Sequence, residues 1–150
     1  MRELARRSGV SHSAPVHHFG TRQGLLTALA AEGFAGLNEA LSAHTDDLGE
    51  MGVAYVTWAL AHPGHDAVMW RPRLLNDSSE ELALARQRAW TLLSTTATDD
   101  AADSSDAKAD SYAAFAIVHG PASLWLTDAL PLPEDPVVLV RQITQRLATG

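Results

Sequence analysis

The 150-residue chain contains no cysteine, which excludes disulfides, thiolate nucleophiles and cysteine-ligated metals. Nowhere does an apolar run approach the roughly 20 residues of a membrane-spanning helix. The arginines near Met1 are not followed by the apolar core of a secretory signal. The expected setting is therefore a soluble protein of the cytoplasm with no membrane partner. Strand signals are nearly missing, with no sustained period-2 alternation and no Asn-Gly hairpin signature. Catalytic signatures are scarce: there is no Gly-x-Ser-x-Gly elbow, no phosphate-cradling glycine loop and no close carboxylate pair in an apolar setting. His119 and Ser123 stand four apart in "HGPAS", but no acid is placed to orient the imidazole. Neither an enzymatic activity nor a cofactor is expected.

What is present favours helices. Ala, Leu, Arg and Glu dominate the periodic segments, so the expected fold is all-α. The length suits one domain, or one with a small appendage. A chain of this size buries about two-thirds of its unfolded surface and needs no covalent staples. The net charge of −7 is unevenly spread. Residues 1–24 carry four arginines against one glutamate, a local +3; the seven basic and 17 acidic side chains beyond give −10. A basic tip on an acidic body can meet phosphate while the body keeps the protein in solution. Solvated arginines on a surface helix would give the same count.

Residues 1–8 read as a helix, Gly9 as its end and Ser11 as the N-cap of a short helix over 12–18. Gly20 ends that helix and Thr21 caps the next, which runs over about 22–44 with Leu25, Leu26, Leu29, Phe34, Leu37 and Leu41 on its apolar side. Further helices are expected over about 47–61, 65–71 and 80–95, the last capped by Ser79 with Leu82, Ala85, Ala89, Leu92 and Leu93 inward. Residues 94–111 are small, acidic and almost free of large apolar groups, and read as an exposed, partly disordered loop. Two helices close the chain, about 111–129 and 135–148. The first carries Tyr112, Phe115, His119, Ala122 and Leu126 at helical spacing and should bend at Pro121; the second carries Val140, Ile143 and Leu147.

The opening stretch has the form of a helix–turn–helix. Gly9 makes the turn, Val10 packs beneath it, and a short helix with a polar outer face follows. "RELARRSGVSHSAPVHHFGTRQGLLTAL" resembles the DNA-binding end of the TetR-type (tetracycline-repressor-like) regulators, through Leu4-Ala5, Ser8-Gly9-Val10-Ser11, His18-Phe19 and Arg22. "ALAHPGHDAVMWRP" and "AFAIVHGPASLWLTDALP" resemble the WHG-type bodies of that family. The resemblance implies a truncated helix–turn–helix domain over residues 1–27 and a helical ligand-binding and dimerisation domain over 28–150. His12, Ser13 and Ala14 match positions that reach bases, while His18 and Arg22 match positions that hold phosphates. The DNA-binding set expected is Ser11, His12, Ser13, Ala14, Val16, His17, His18, Thr21 and Arg22. Val16 stands where the family has a tyrosine. The family's usual first helix, which braces the recognition helix, has no counterpart after Met1. Either the sequence starts at an internal methionine or the brace has been lost.

Trp58, Trp70, Phe115 and Trp125, with Met69, could line a cavity for a hydrophobic molecule of aromatic or cationic type. Aromatics at helical spacing also serve as plain core. His62 and His119 join them as candidate ligand-binding residues, although capping and hydrogen-bonded burial suit them equally. A metal is not expected at His62, His65 and His119, because Pro63 and Gly64 break the helix that would align the first two. The resemblance implies a ligand-responsive transcriptional regulator, a repressor, that pairs as a homodimer through its last two helices. Its partners would be a palindromic double-stranded DNA operator and a small hydrophobic effector. The alternative is a small-molecule-binding helical dimer that has lost DNA binding with its bracing helix.

Overall fold

The computed structural model describes residues 20–97 and 105–146, and every regular element among them is helical. The helix–turn–helix expected over residues 1–18, with Ser11, His12, Ser13, Ala14, Val16, His17 and His18, lies outside the described residues, as does Leu147.

Gly20 holds the left-handed backbone (φ 65°) that favours glycine, and Thr21 follows in extended conformation. The Thr21 hydroxyl accepts the Gly24 N–H at 3.0 Å, capping α1, Arg22–Ser42. This helix runs unbroken through the expected domain boundary at residues 27–28. Asp47 caps α2, Leu48–Ala61, by accepting the Glu50 N–H. His62 then leads into α3, Pro63–Met69, which starts two residues earlier than expected because Pro63 occupies its first position. A single 3-10 turn, Pro72–Leu74, leads to α4, Glu80–Ala97. The Ser79 hydroxyl accepts the Leu82 N–H there. Next comes α5, Ser105–Leu126, which contains Pro121 without a break in the helix. Asp135 caps α6, Pro136–Gln145, again with proline first.

The loop expected over 94–111 is corrected at both of its ends, while residues 98–104 lie outside the described residues. α4 continues to Ala97 and α5 begins at Ser105. Ala107 and Ser111 are buried, and the Ser111 hydroxyl donates to the Ala107 carbonyl at 2.9 Å. Thr95 and Thr96 turn their hydroxyls back onto the Thr91 and Leu92 carbonyls, and Thr96 also donates to the Thr45 carbonyl. Small polar residues thus satisfy their own hydrogen bonds within the helix and let it pack closely.

α1 lies against α3 and α4, α2 against α5 and α6, and α4 against α5. The core runs between them, through Phe34 and Leu37 of α1, Met51 and Val56 of α2, Val118 of α5 and Val140 of α6. Polar ties fix the α1–α4 side. Asn38 Nδ2 donates to the Ala85 carbonyl, Gln23 Nε2 donates to the Leu75 carbonyl, and the Thr27 hydroxyl accepts the Asn76 N–H. On the opposite side Arg141 of α6 donates from Nε and Nη2 to the two carboxylate oxygens of Glu50 on α2.

α4 buries little of its apolar stripe. Leu82 is its fully buried residue, whereas the expected inward positions Ala85, Ala89, Leu92 and Leu93 are only half-buried. Of these, Ala89 and Leu93 face an empty space.

Candidate functional site

A cavity of about 400 Å³ lies between α1, α2, α4 and α5. Phe34 and Leu37 reach it from α1, Met51 and Tyr55 from α2, Ala89 and Trp90 from α4, and Phe115 and Val118 from α5. Met69 and Trp70, at the end of α3, close one end. Its rim is marked by lining residues that also face solvent, above all Trp90 and Tyr112, 38% and 55% exposed, whose rings pack 4.9 Å apart.

Of the residues nominated for ligand binding, Met69, Trp70 and Phe115 line this cavity. His119 stands one layer behind. It stacks on Phe115 at 15° and 4.9 Å, and its Nδ1 shares a 2.8 Å hydrogen bond with the Tyr55 hydroxyl. Trp125 is buried in the core away from the cavity. Trp58 and His62 form a stack of their own, 4.7 Å apart, beside Gly36 on α1, and His62 Nδ1 bonds the Trp58 carbonyl. The three histidines do not converge: His65 lies beside His62, and His119 is held among Tyr55, Trp70 and Phe115. Among the described residues no group of three or more His, Asp or Glu side chains could hold a metal. Of the nominated DNA-binding residues, Thr21 spends its hydroxyl on the α1 cap, and Arg22 is exposed at the first turn.

Arg86, Trp90 and Tyr112 line the cavity but were not singled out from the sequence. Their signal was present in part. Leu82, Ala85, Arg86, Ala89 and Leu93 fall on one helical stripe, so Arg86 interrupts an apolar face. Tyr112, which shares the helical spacing of Phe115 and His119, stands about two turns into α5 and is exposed at the rim.

Behind the cavity wall sits a polar chain. Trp70 Nε1 donates to Asp66 Oδ1 at 3.1 Å. Burial raises the Asp66 carboxyl, opposed by that hydrogen bond and by the charge of His119. Burial also holds the Tyr55 phenol far above its ordinary range, reinforced by Asp66. The His119 imidazole is pushed below its ordinary value by burial, with Asp66 pulling the other way. The folded state therefore binds fewer protons at His119 than the unfolded state does. Stability should be intact above the unfolded value of about 6.5 and fall as the pH drops from there towards the folded value. His119→Gln is expected to flatten the loss of stability as the pH falls below about 6.5 in denaturant melts. An unchanged slope would show that other groups carry that limb.

The family described as "Tetracyclin repressor-like, C-terminal domain" matches residues 48–147. The chain belongs to this tetracycline-repressor-like family. The matched segment of the TetR-like chain holds α2 to α6 and most of the cavity wall, with α1 preceding it. A solved structure, described as that of a protein with unknown function from Rhodococcus sp. RHA1, is 33% identical with a TM-score of 0.72. The similarity covers 99% of this TetR-like chain and 80% of the Rhodococcus one. No curated protein matches. The all-helical architecture agrees with that of a TetR-family regulator. No helix among the described residues is long and apolar enough to cross a membrane.

Proposed function

We propose that this TetR-family chain is a ligand-responsive repressor of the cytoplasm that binds a palindromic DNA operator as a homodimer. A small hydrophobic effector in the cavity would release it. The observation that carries this reading is the cavity itself, formed among four helices and walled almost wholly by apolar and aromatic side chains.

The route from effector to DNA would be α1. Its 21 residues form one rod of roughly 30 Å. Arg22 stands at the end that would face phosphate, where the helix dipole also favours an anion. Phe34, Leu37 and Leu41, further along the same helix, line the cavity. A ligand that shifts this wall would move the DNA end of the helix, and with it the separation of the two recognition helices, residues 12–18 of each copy.

The expected dimer surface lies on α5 and α6 and the segment between them. Leu124, Leu130, Leu132 and Val138 are all exposed there. Four helices, two from each copy, would cover them. Light scattering is expected to give the mass of two chains for the wild type and of one for the double variant Leu124→Glu, Val138→Glu. A double variant that remains dimeric would place the interface elsewhere.

DNA binding is tested by selecting duplexes from a random library with the full chain. The expected product is a palindrome with half-sites about one helical turn apart, bound with steeply salt-dependent affinity. Retention that ignores sequence would overturn the repressor reading and leave a ligand-binding dimer.

A further inference from the structure

We propose that the cavity is built for an apolar monocarboxylate, with the guanidinium of Arg86 holding the carboxylate; the proposal rests on the reading of the cavity as the effector site. Among the described residues lining it, Arg86 is the one charged side chain and none is acidic. Its guanidinium lies over the Phe34 ring, 5.8 Å from the centroid, which keeps it against the cavity wall.

The donors of this guanidinium are largely unspent. Its ion partner is Asp77 at 3.9 Å, beyond hydrogen-bond length, with the Asp77 side chain 79% exposed and that of Arg86 only 31%. Guanidinium offers five N–H donors in a fork that fits a carboxylate in two-point contact. An apolar occupant would strip water from the guanidinium, and a neutral one would return nothing for the lost hydrogen bonds. An occupant with a carboxylate replaces them with charge-assisted bonds.

The opposite charge is disfavoured. The aromatic walls could face a cation, but its counter-charge would have to come from Asp66, which stands behind Trp70 and accepts that ring's N–H. The Tyr55 hydroxyl is likewise committed, to His119. A volume of about 400 Å³ suits a fused aromatic acid or a medium-chain fatty acid, its apolar part among Phe34, Trp70 and Phe115.

Calorimetric titration of the full chain with matched pairs tests this: 2-naphthoate against 2-naphthamide, and decanoate against decanol, with decyltrimethylammonium as the cationic counterpart. The carboxylate is expected to bind at least about tenfold more tightly than its neutral partner. Arg86→Met should erase that ratio by weakening the carboxylate alone, and Arg86→Lys should keep part of it. Thermal melts check that the variants fold, and if Arg86→Met does not, the wild-type ratio and the lysine variant decide. Equal binding of acid and neutral partner, or tighter binding of the ammonium, overturns the carboxylate assignment and leaves the cavity reading intact. If no member of any pair binds, both fall together.

Discussion

Ala89→Phe is expected to weaken binding in the cavity at least about tenfold while leaving the protein folded and at least as stable. Ala89 is half-buried on α4 and its methyl borders the empty space. A phenyl ring there enters a void rather than a packed core, so the usual cost of overpacking does not arise. Filling voids commonly adds about 0.5–2 kcal/mol of stability. The ring would meet Phe34, Trp70 and Phe115, the surfaces an apolar ligand needs. The neutral fluorescent probe N-phenyl-1-naphthylamine should therefore bind the variant at least about tenfold more weakly than the wild type, a loss of about 1.4 kcal/mol. A variant that melts no lower yet binds the probe as the wild type does would place the binding site elsewhere.

The second large effect is expected at Gly33, where α1 crosses α3. A Cβ on Gly33 would lie 2.5 Å from Met69 Sδ, 3.0 Å from Met69 Cγ and 3.1 Å from His65 Cβ. The helices approach so closely there that hydrogen is the side chain that fits. Met69 can swing towards the cavity it lines, so Gly33→Ala acts mainly by shrinking that cavity. Gly33→Val adds branches that also press on His65, near the α3 backbone, and α3 must move. A loss of about 1–3 kcal/mol is expected, lowering the melting temperature by roughly 3–10 °C. Thermal melts with probe titration check it. Unchanged stability and binding would mean the crossing is looser than the contacts indicate.

Much of the helical order is legible in the sequence because it is set locally. Thr21 and Ser79 announce their helices through hydroxyls that cap them, and Pro63 marks both the end of α2 and the start of α3. The small acidic stretch before Tyr112 misleads at its two ends, 94–97 and 105–111, because composition alone does not distinguish a solvated loop from a close-packed helix. Ala107 and Ser111, at the α5 end, are both buried. The cavity is legible only in part. Met69, Trp70 and Phe115 are aromatic or apolar at helical spacing and line it, whereas Trp58 and Trp125 share that pattern and pack elsewhere. Which aromatic faces a void depends on how α4 crosses α1, and that crossing is fixed by contacts far apart in sequence, such as Asn38 to the Ala85 carbonyl. Arg86 is the clearest missed signal: a cation in the apolar stripe of α4 is costly unless it faces water or a ligand.

The central claim is that occupancy of this cavity governs DNA binding. Its most direct test is the affinity of the full chain for its selected duplex, with and without a saturating amount of the tightest-binding carboxylate. The account predicts about a tenfold or greater weakening in the wild type and none in Ala89→Phe. Equal affinity with and without the bound carboxylate in the wild type would contradict it.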